Sequence, residues 1–414
     1  MSEPPSRALE IRLIDQRVGW LVQANGRTGI RFDPQWRMRT DRRVFSLSVE
    51  DTALADVKAT PQLPTWFENL LLEGELRNWI LRSEPELRQD DLSFLARVGS
   101  DLLGAATLHA VEEEVPTLVQ GEAPSSHDIP RSNGLRWSLA GVQLKLSLSD
   151  RGGRFTIPVR DEIGSHIAKF ADPQYPGVPV TEHATMEWAR ASGLDTAPTR
   201  LISASAIDEI PFSLQRKEEP VLLVQRFDRE DGQRIHAEEF AQALCIRPEE
   251  KYRRLGWRHH LRLVSLVAPQ DLAEYLRRLL FILVSGNSDA HHKNHAFVFP
   301  DGRKASLAPV YDQVSVVAWK AEFPELKDEL PFKLGRSRRY EDATMAALEH
   351  LLDQAKVTDF VDDDQPVNPG SFPTWARTQM ERILDAMPVG AAIAGPAWAS
   401  ALQAHHQRLP LLRR

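Results

Sequence analysis

The 414-residue sequence predicts an α+β fold of two lobes. A β-rich N-terminal lobe, preceded by a small β-rich subdomain, would be followed by a mostly α-helical C-terminal lobe. Three observations predict it. The chain opens on alternating apolar positions, "ALEIRLIDQRVGWLVQANGRTGIRFD", with an Asn25-Gly26 step, the strongest short hairpin signal. Residues 135–235 again read as strands around one amphipathic helix, "VTEHATMEWARASG", closed by Gly193. From about His236 onward helical periodicity dominates.

Each element follows in order. "VFSLSV" reads as a further strand, and "LPTWFENLLLEGELRNWILR" as a helix with Leu70, Leu71, Trp79 and Ile80 on apolar faces. "DDLSFLARVGSDLLGAATL" gives a short helix and a turn, and the first unit spans residues 1–110. Residues 111–134, acidic and rich in Pro, Ser and Gly, read as a linker. In the lobe at 135–235, "LRWSLAGVQLKLSLSDRGGRFTIPV" predicts two strands joined by a turn at Asp150–Gly153. "SHIAKFA", "AIDEIPFSLQ" and "PVLLVQRFDRE" supply more strands. The helical lobe, residues 236–414, carries "AEEFAQALCI", "DLAEYLRRLLFILVSG", "EDATMAALEHLLDQA", "PTWARTQMERILDAM" and "PAWASALQAHHQR". One hairpin interrupts these helices, with its turn at Asp301-Gly302. In a chain of this order a ligand sits in the cleft between lobes.

Composition narrows the function classes. Fifty-one Lys and Arg against 58 Asp and Glu give a formal charge of −7, which argues against coating nucleic acid through bulk charge. The single cysteine, Cys245, excludes an internal disulfide and a cysteine-based zinc site, and fits a cytoplasmic location. "MSEPPSRALE" lacks the apolar region of a signal peptide. Runs such as "LLFILVSG" fall far short of the ~20 residues of a membrane span. A soluble protein without membrane contact is expected.

"SGNSDAHHKN", residues 285–294, is almost wholly polar and follows the apolar run "LRRLLFILV". Two readings are open from these residues alone: a solvated loop with an Asx-turn, or a loop that handles phosphate and metal. Asp289 and Asn294 are followed by two strands and then by Tyr311-Asp312. Phosphoryl transfer uses this layout: one Asp orients or deprotonates the attacking hydroxyl, while an Asn and a second Asp offer hard oxygens to Mg²⁺. It also needs a strand lysine for the nucleotide phosphates, which Lys169 in "SHIAKF" provides, against a plain edge-strand lysine. "RWSLAGVQLK" offers Ser138, Ala140, Gly141 and Val142 between two strands, with Lys145 after them, although an ordinary β-turn explains it too. "LVQRFDRE" lies where the lobes join. Gln225 could meet adenine through its backbone, Phe227 could stack on it and Asp228 could reach the ribose, or the segment is a strand end with a buried Phe and a surface Asp–Arg pair.

Taken in this order, the pieces resemble the HipA family of serine/threonine protein kinases, the toxins of bacterial toxin–antitoxin pairs. "SLAGVQLK" looks like the family's phosphate loop, "HIAKF" its lysine strand, "RFDR" its hinge, "NSDAHHKN" its catalytic loop and "APVYD" its metal-binding strand. "TEHATMEWARASGL" resembles the helix after the lysine strand, and "LPTWFENLLLEGELR" and "RVGSDLLGAATL" the N-terminal domain. The resemblance implies a protein-kinase-like fold and use of ATP and Mg²⁺. Asp289 would be the catalytic Asp, with His291 touching it or the γ-phosphate. Asn294 and Asp312 would hold Mg²⁺, and Lys169 and Lys145 would hold phosphates. Ser138 falls where family members autophosphorylate, and a phosphate there would switch the enzyme off. Glu182 or Glu187 would pair with Lys169, with Glu182 nearer the family's position. A small HipB-like helix-turn-helix antitoxin is the implied partner, with operator DNA met mainly through it. Known family targets include aminoacyl-tRNA synthetases.

This sequence departs from the family at Gln225, where an acidic residue is common, and in "NLLLEG", where a Pro often precedes the Glu. His292 and His295 add imidazoles with no assigned role. Three other functions stay open: a small-molecule kinase of the aminoglycoside or choline type, a catalytically silent kinase-fold corepressor, and a metal-dependent hydrolase using the His-rich loop.

Overall fold

The computed structural model of the chain describes residues 7–111, 145–156, 163–208 and 219–413, apart from residues 53, 73, 85, 86, 88–90, 100, 172–174, 176, 321, 324 and 325. Apolar alternation at the start produces a meander: β1 (Arg7–Leu13), β2 (Gln16–Ala24) and β3 (Arg27–Phe32) pair antiparallel in succession. Asn25 and Gly26 turn it with φ of 52° and 70°, as an Asn-Gly hairpin requires. β4 (Val57–Thr60) and β5 (Ala106–Ala110) complete a sheet of order β4-β3-β2-β1-β5. Five helices surround it: α1 (Pro34–Met38), α2 (Leu47–Asp51), α3 (Thr65–Glu68), α4 (Gly74–Ser83) and α5 (Asp91–Val98). The core of this unit is Ile11, Leu21, Phe32, Phe45, Phe67 and Leu95 with their neighbours.

Several segments differ from the sequence reading. "AEEFAQALCI", expected as a helix, opens as a strand in which Ala237–Glu239 pair with Ala296–Val298, and only Phe240–Ala243 are helical. "VFSLSV" is not a strand: the Ser46 hydroxyl accepts from the Ser48 N–H at 3.3 Å and caps α2. A local side-chain bond to the backbone overrides a short period-two pattern. The single helix expected over residues 63–82 is two, because the Asn69 side chain turns back to the Thr65 carbonyl at 3.0 Å and ends α3.

The second sheet has order β7-β6-β8-β10-β9, from β6 (Lys145–Asp150), β7 (Phe155–Thr156), β8 (His166–Lys169), β9 (Thr199–Ser203) and β10 (Pro220–Gln225). Its register sets Lys145 opposite Lys169, so both side chains leave the same face. α6 (Val178–Ala191) packs across this sheet and, through the Trp188 indole donating to the Ile383 carbonyl at 2.6 Å, onto the helical lobe.

The helical lobe begins with short strands β11 (Arg229–Glu230), β12 (Gln233–Arg234) and β13 (His236–Glu239), then α7 (Phe240–Ala243), α8 (Trp257–Val267) and α9 (Leu272–Ser285). β14 (Ala296–Phe299) and β15 (Ser306–Leu307) form the expected hairpin and add β13 as a third strand. α10 (Met345–Ala355), strands β16 (Phe360–Asp362) and β17 (Gln365–Val367), α11 (Phe372–Ala394) and α12 (Pro396–Arg408) close the lobe. α9 is buried almost all round, which explains its continuous apolar run. It stops at Gly286, φ 63°, where a Cβ would lie 2.3 Å from Val317. Only glycine meets both the left-handed backbone and the close approach.

The N-terminal unit is locked to both lobes. Glu238 of β13, fully buried, accepts from the Ser46 hydroxyl, the Leu47 N–H at 2.9 Å and the Trp66 indole at 3.1 Å. Asn69 reaches the Ile246 carbonyl at 2.8 Å, and Arg247 pairs with Glu68.

Candidate active site

A cavity of about 470 Å³ lies where the three units meet, within the usual range of small-ligand sites. The sheet contributes Lys145, Ile167, Lys169 and Val224, and the helical lobe Lys251, His291, Asn294, Tyr311 and Asp312. The N-terminal unit contributes Asn69–Leu72 and Asp101–Leu103, which the sequence reading did not connect with the site.

The polar loop after α9 is not solvated. Asp289, His291, His292, Asn294 and His295 are all buried. Asn287 shapes it: its side-chain oxygen accepts from the Asp289 N–H at 2.9 Å, and its amide donates to Gln313 at 2.9 Å. The Asn294 amide nitrogen donates to the Asp289 carbonyl at 3.0 Å, so its oxygen is left for another partner. Burial pushes the Asp289 carboxyl up to about 6, against a hydrogen bond from the Tyr252 hydroxyl. Burial holds His291 well below the ordinary imidazole range, and neither ring nitrogen has a partner among the described residues.

Asp312 faces this loop across the cavity. Its φ of 59° is left-handed, an uncommon conformation for a residue with a side chain. Lys169 pairs with one of its oxygens, and Lys145 with the other at 3.1 Å. Although burial opposes it, these two ammonium groups keep Asp312 ionised far below the usual carboxylate range. Lys169 also pairs with Glu182 of α6, both almost fully buried. Burial works against its charge, but Asp312 and Glu182 raise it above the ordinary lysine range. Glu187 instead pairs with Arg190 on the outside of α6.

The hinge residues divide. Gln225 is exposed at the end of β10, and the Phe227 ring lies 5.1 Å from that of Tyr311 on the cavity wall. Asp228 borders the cavity, but its carboxylate is committed elsewhere. It accepts from Arg226 at 2.9 and 3.0 Å, from Arg229 at 2.8 Å and from the Gly104 N–H at 2.7 Å. Both arginines also hold Asp101 of the N-terminal unit, at 3.0 and 2.9 Å. The capacity expected for a ribose is therefore spent on an inter-unit anchor.

Ser138, Ala140, Gly141 and Val142 lie outside the described residues. Sequence reasoning missed Tyr252 and Lys251, which sit in a turn before α8 with no motif of their own. It also left His292 and His295 unexplained. His292 bonds to His260, which bonds to Tyr275 at 2.6 Å, and His295 packs against the same group. These are neutral imidazoles of the loop's buried underside, and no group of three or more metal-ligating side chains occurs among the described residues.

Comparison with known proteins fits this geometry. A family model described as the HipA-like C-terminal domain matches residues 137–387, and the HipA N-terminal domain matches residues 9–109. The chain belongs to the HipA family. Among HipA-family and related sequences, it is 32% identical over 369 residues to the putative kinase Y4dM of Sinorhizobium fredii, covering 86% of this chain and 88% of the relative. It is 26% identical to the serine/threonine-protein kinase toxin HipA of Shewanella oneidensis, covering 76% and 77%. The HipA fold is also seen in the solved complex of Shewanella oneidensis HipA, HipB and operator DNA. That match has a TM-score of 0.71 at 21% identity and covers 98% of this chain and 96% of the other. The two-lobed, protein-kinase-like α+β fold expected from the sequence is the fold of this chain. Among the described residues no helix is long and apolar enough to cross a membrane.

Proposed function

We propose that the chain is an ATP- and Mg²⁺-dependent serine/threonine protein kinase, the toxin of a cytoplasmic toxin–antitoxin pair, which phosphorylates a protein and inactivates itself at Ser138. The observation that carries this reading is the meeting of His291, Asn294, Asp312 and Lys169 at one cavity between the lobes, with Glu182 paired to Lys169 and Asp289 tied to Asn294 through its carbonyl.

The residues fit the group they would hold. Asp312 and the free oxygen of Asn294 are hard oxygen donors and would bind Mg²⁺. Bound there, the ion would neutralise charge on the nucleotide phosphates. Lys169, fixed by Glu182, and Lys145 are the cations for those phosphates, together with the backbone of Ala140, Gly141 and Val142. The Gln225 backbone and the Phe227 ring are assigned to the base. Asp289 takes the proton of a Ser or Thr hydroxyl as it attacks; a carboxyl near 6 is ionised at neutral pH yet more basic than an ordinary Asp. His291, neutral at that pH, is assigned to the γ-phosphate side of the cavity. Phosphate on Ser138 would add about −1.5 to −2 charges and repel the nucleotide.

A HipB-like helix-turn-helix antitoxin, meeting operator DNA itself, is the partner this reading implies, supported by the complex in which the structural relative was solved. A net charge of −7 suits a basic partner. An aminoacyl-tRNA synthetase is the target class we would test first. The N-terminal unit, which lines the cavity, argues against a small-molecule kinase.

The test is incubation with Mg²⁺ and γ-labelled ATP beside Asp289→Gln, with phosphate mapped by mass spectrometry. Phosphate on Ser138 in the parent alone supports the reading. If Ser138 is bare and nucleotide does not bind, a catalytically silent corepressor takes its place.

A further inference from the structure

Two segments beside the catalytic loop carry charge that the phosphoryl-transfer chemistry does not use. Residues 251–262, "KYRRLGWRHHLR", hold five cations and no carboxylate, and four of the five, all but Lys251, lie outside the cavity lining. Residues 330–340, "LPFKLGRSRRY", hold four and none. This sits in a chain of net charge −7.

The fold brings the two together beside the catalytic loop. Tyr252 hydrogen-bonds Asp289, and Arg338 donates to the Tyr252 carbonyl at 2.6 Å. Phe332 packs on His292 of the catalytic loop at 4.5 Å and on Trp257 at 6.0 Å. Arg253, Arg258, Arg262, Lys333 and Arg336 are exposed, and none has a carboxylate partner among the described residues. Arg254 and Arg339 are balanced loosely, by Glu250 at 3.3 Å and Glu341 at 3.5 Å.

We infer that these two segments form a docking surface for an acidic stretch of polypeptide, so that the acceptor hydroxyl delivered to Asp289 is flanked by Asp and Glu. The inference rests on the kinase reading above and names its substrate class. Like-charged side chains left unpaired at a surface repel one another, and an anionic partner relieves that repulsion. A polypeptide fits better than a single-stranded nucleic acid. The aromatic residues of both segments other than Tyr252, namely Trp257, Phe332 and Tyr340, are buried and offer no face for base stacking. Double-stranded nucleic acid would also meet the repulsion of the chain's overall negative charge.

The test uses the full-length protein and three fluorescent peptides with one central Ser, flanked by Glu and Asp, by Gln, or by Lys. Binding is read by anisotropy and phosphorylation by labelled ATP, in the parent, in Asp289→Gln and in the double variant Lys333→Glu, Arg336→Glu. Both altered side chains are exposed and unpaired, so the variant should fold, which circular dichroism checks. The acidic peptide should bind most tightly, to the parent and to Asp289→Gln alike. Raising salt from about 50 to about 300 mM should weaken it several-fold. The double variant should raise its KM roughly tenfold, with kcat nearly unchanged. Acidic-peptide binding without phosphorylation in any protein keeps the docking surface and removes the kinase reading. Phosphorylation of all three peptides with equal KM keeps the kinase reading and overturns the docking surface. Tighter binding of a short RNA than of the acidic peptide also overturns it.

Discussion

Replacing Asp228 by Asn separates an inter-unit anchor from a nucleotide contact. The Asp228 carboxylate is buried between Arg226 and Arg229 and accepts from the Gly104 N–H. Burial opposes its ionisation, but the two guanidinium groups and the backbone donor hold it below the ordinary carboxylate value. Removing one member of such a buried pair costs about 3–5 kcal/mol, because the remaining charge is left uncompensated. Asp101 still contacts both arginines, so the low end, about 3 kcal/mol, applies. With an unfolding entropy of about 2.1 cal/mol/K per residue, that lowers Tm by about 3–4 °C if the whole chain unfolds together. The pH dependence has a definite sign. A depressed folded value contributes stability above the unfolded carboxylate value and loses it as pH falls through the folded one. Asp228→Asn should therefore flatten the acid side of the stability curve. Urea unfolding followed by tryptophan fluorescence gives the stability loss, and nucleotide titration of the folded variant gives Kd. We expect Kd to change less than about threefold. An unchanged urea midpoint with nucleotide binding weakened tenfold or more would refute the anchor and restore the ribose contact that the sequence suggested.

Three further outcomes follow from the site. Phosphate transfer should need ionised Asp289, so kcat/KM should fall about tenfold per pH unit below about 6, read from a pH–rate profile. Tyr252→Phe removes the hydrogen bond that favours ionised Asp289, so the acid limb of that profile should move up by about one pH unit. An unmoved limb would show that the tyrosine only packs. Glu182→Gln should weaken nucleotide binding by about tenfold or more, since Lys169 loses its fixed partner, whereas Glu187→Gln should leave it unchanged by calorimetry.

By itself the sequence determined the two-lobed order, the Asn25-Gly26 hairpin, the long buried helix α9 and the loop with Asp289 and Asn294. These are local signals. A turn residue states its own backbone demand, and a continuous apolar run states its own burial. Family-specific spacing then tied Lys169 and Asp312 to that loop. What the sequence misread was also local: Ser46 begins a helix inside an apparent strand, because one side-chain bond outweighs a pattern of a few residues.

The choice between Glu182 and Glu187 belonged to the tertiary structure. They lie about 140° apart around a helix of 3.6 residues per turn, so only the packing of α6 on the sheet decides which meets Lys169. The same holds for Asp228. Its partners Gly104 and Asp101 come from a unit more than a hundred residues away, and no local pattern can say whether a carboxylate faces a cavity or two arginines. Tyr252 likewise gained its contact with Asp289 from the path of the chain between α7 and α8. Charge and hydrogen-bond capacity are read from composition, but where they are spent depends on which surfaces the core brings together.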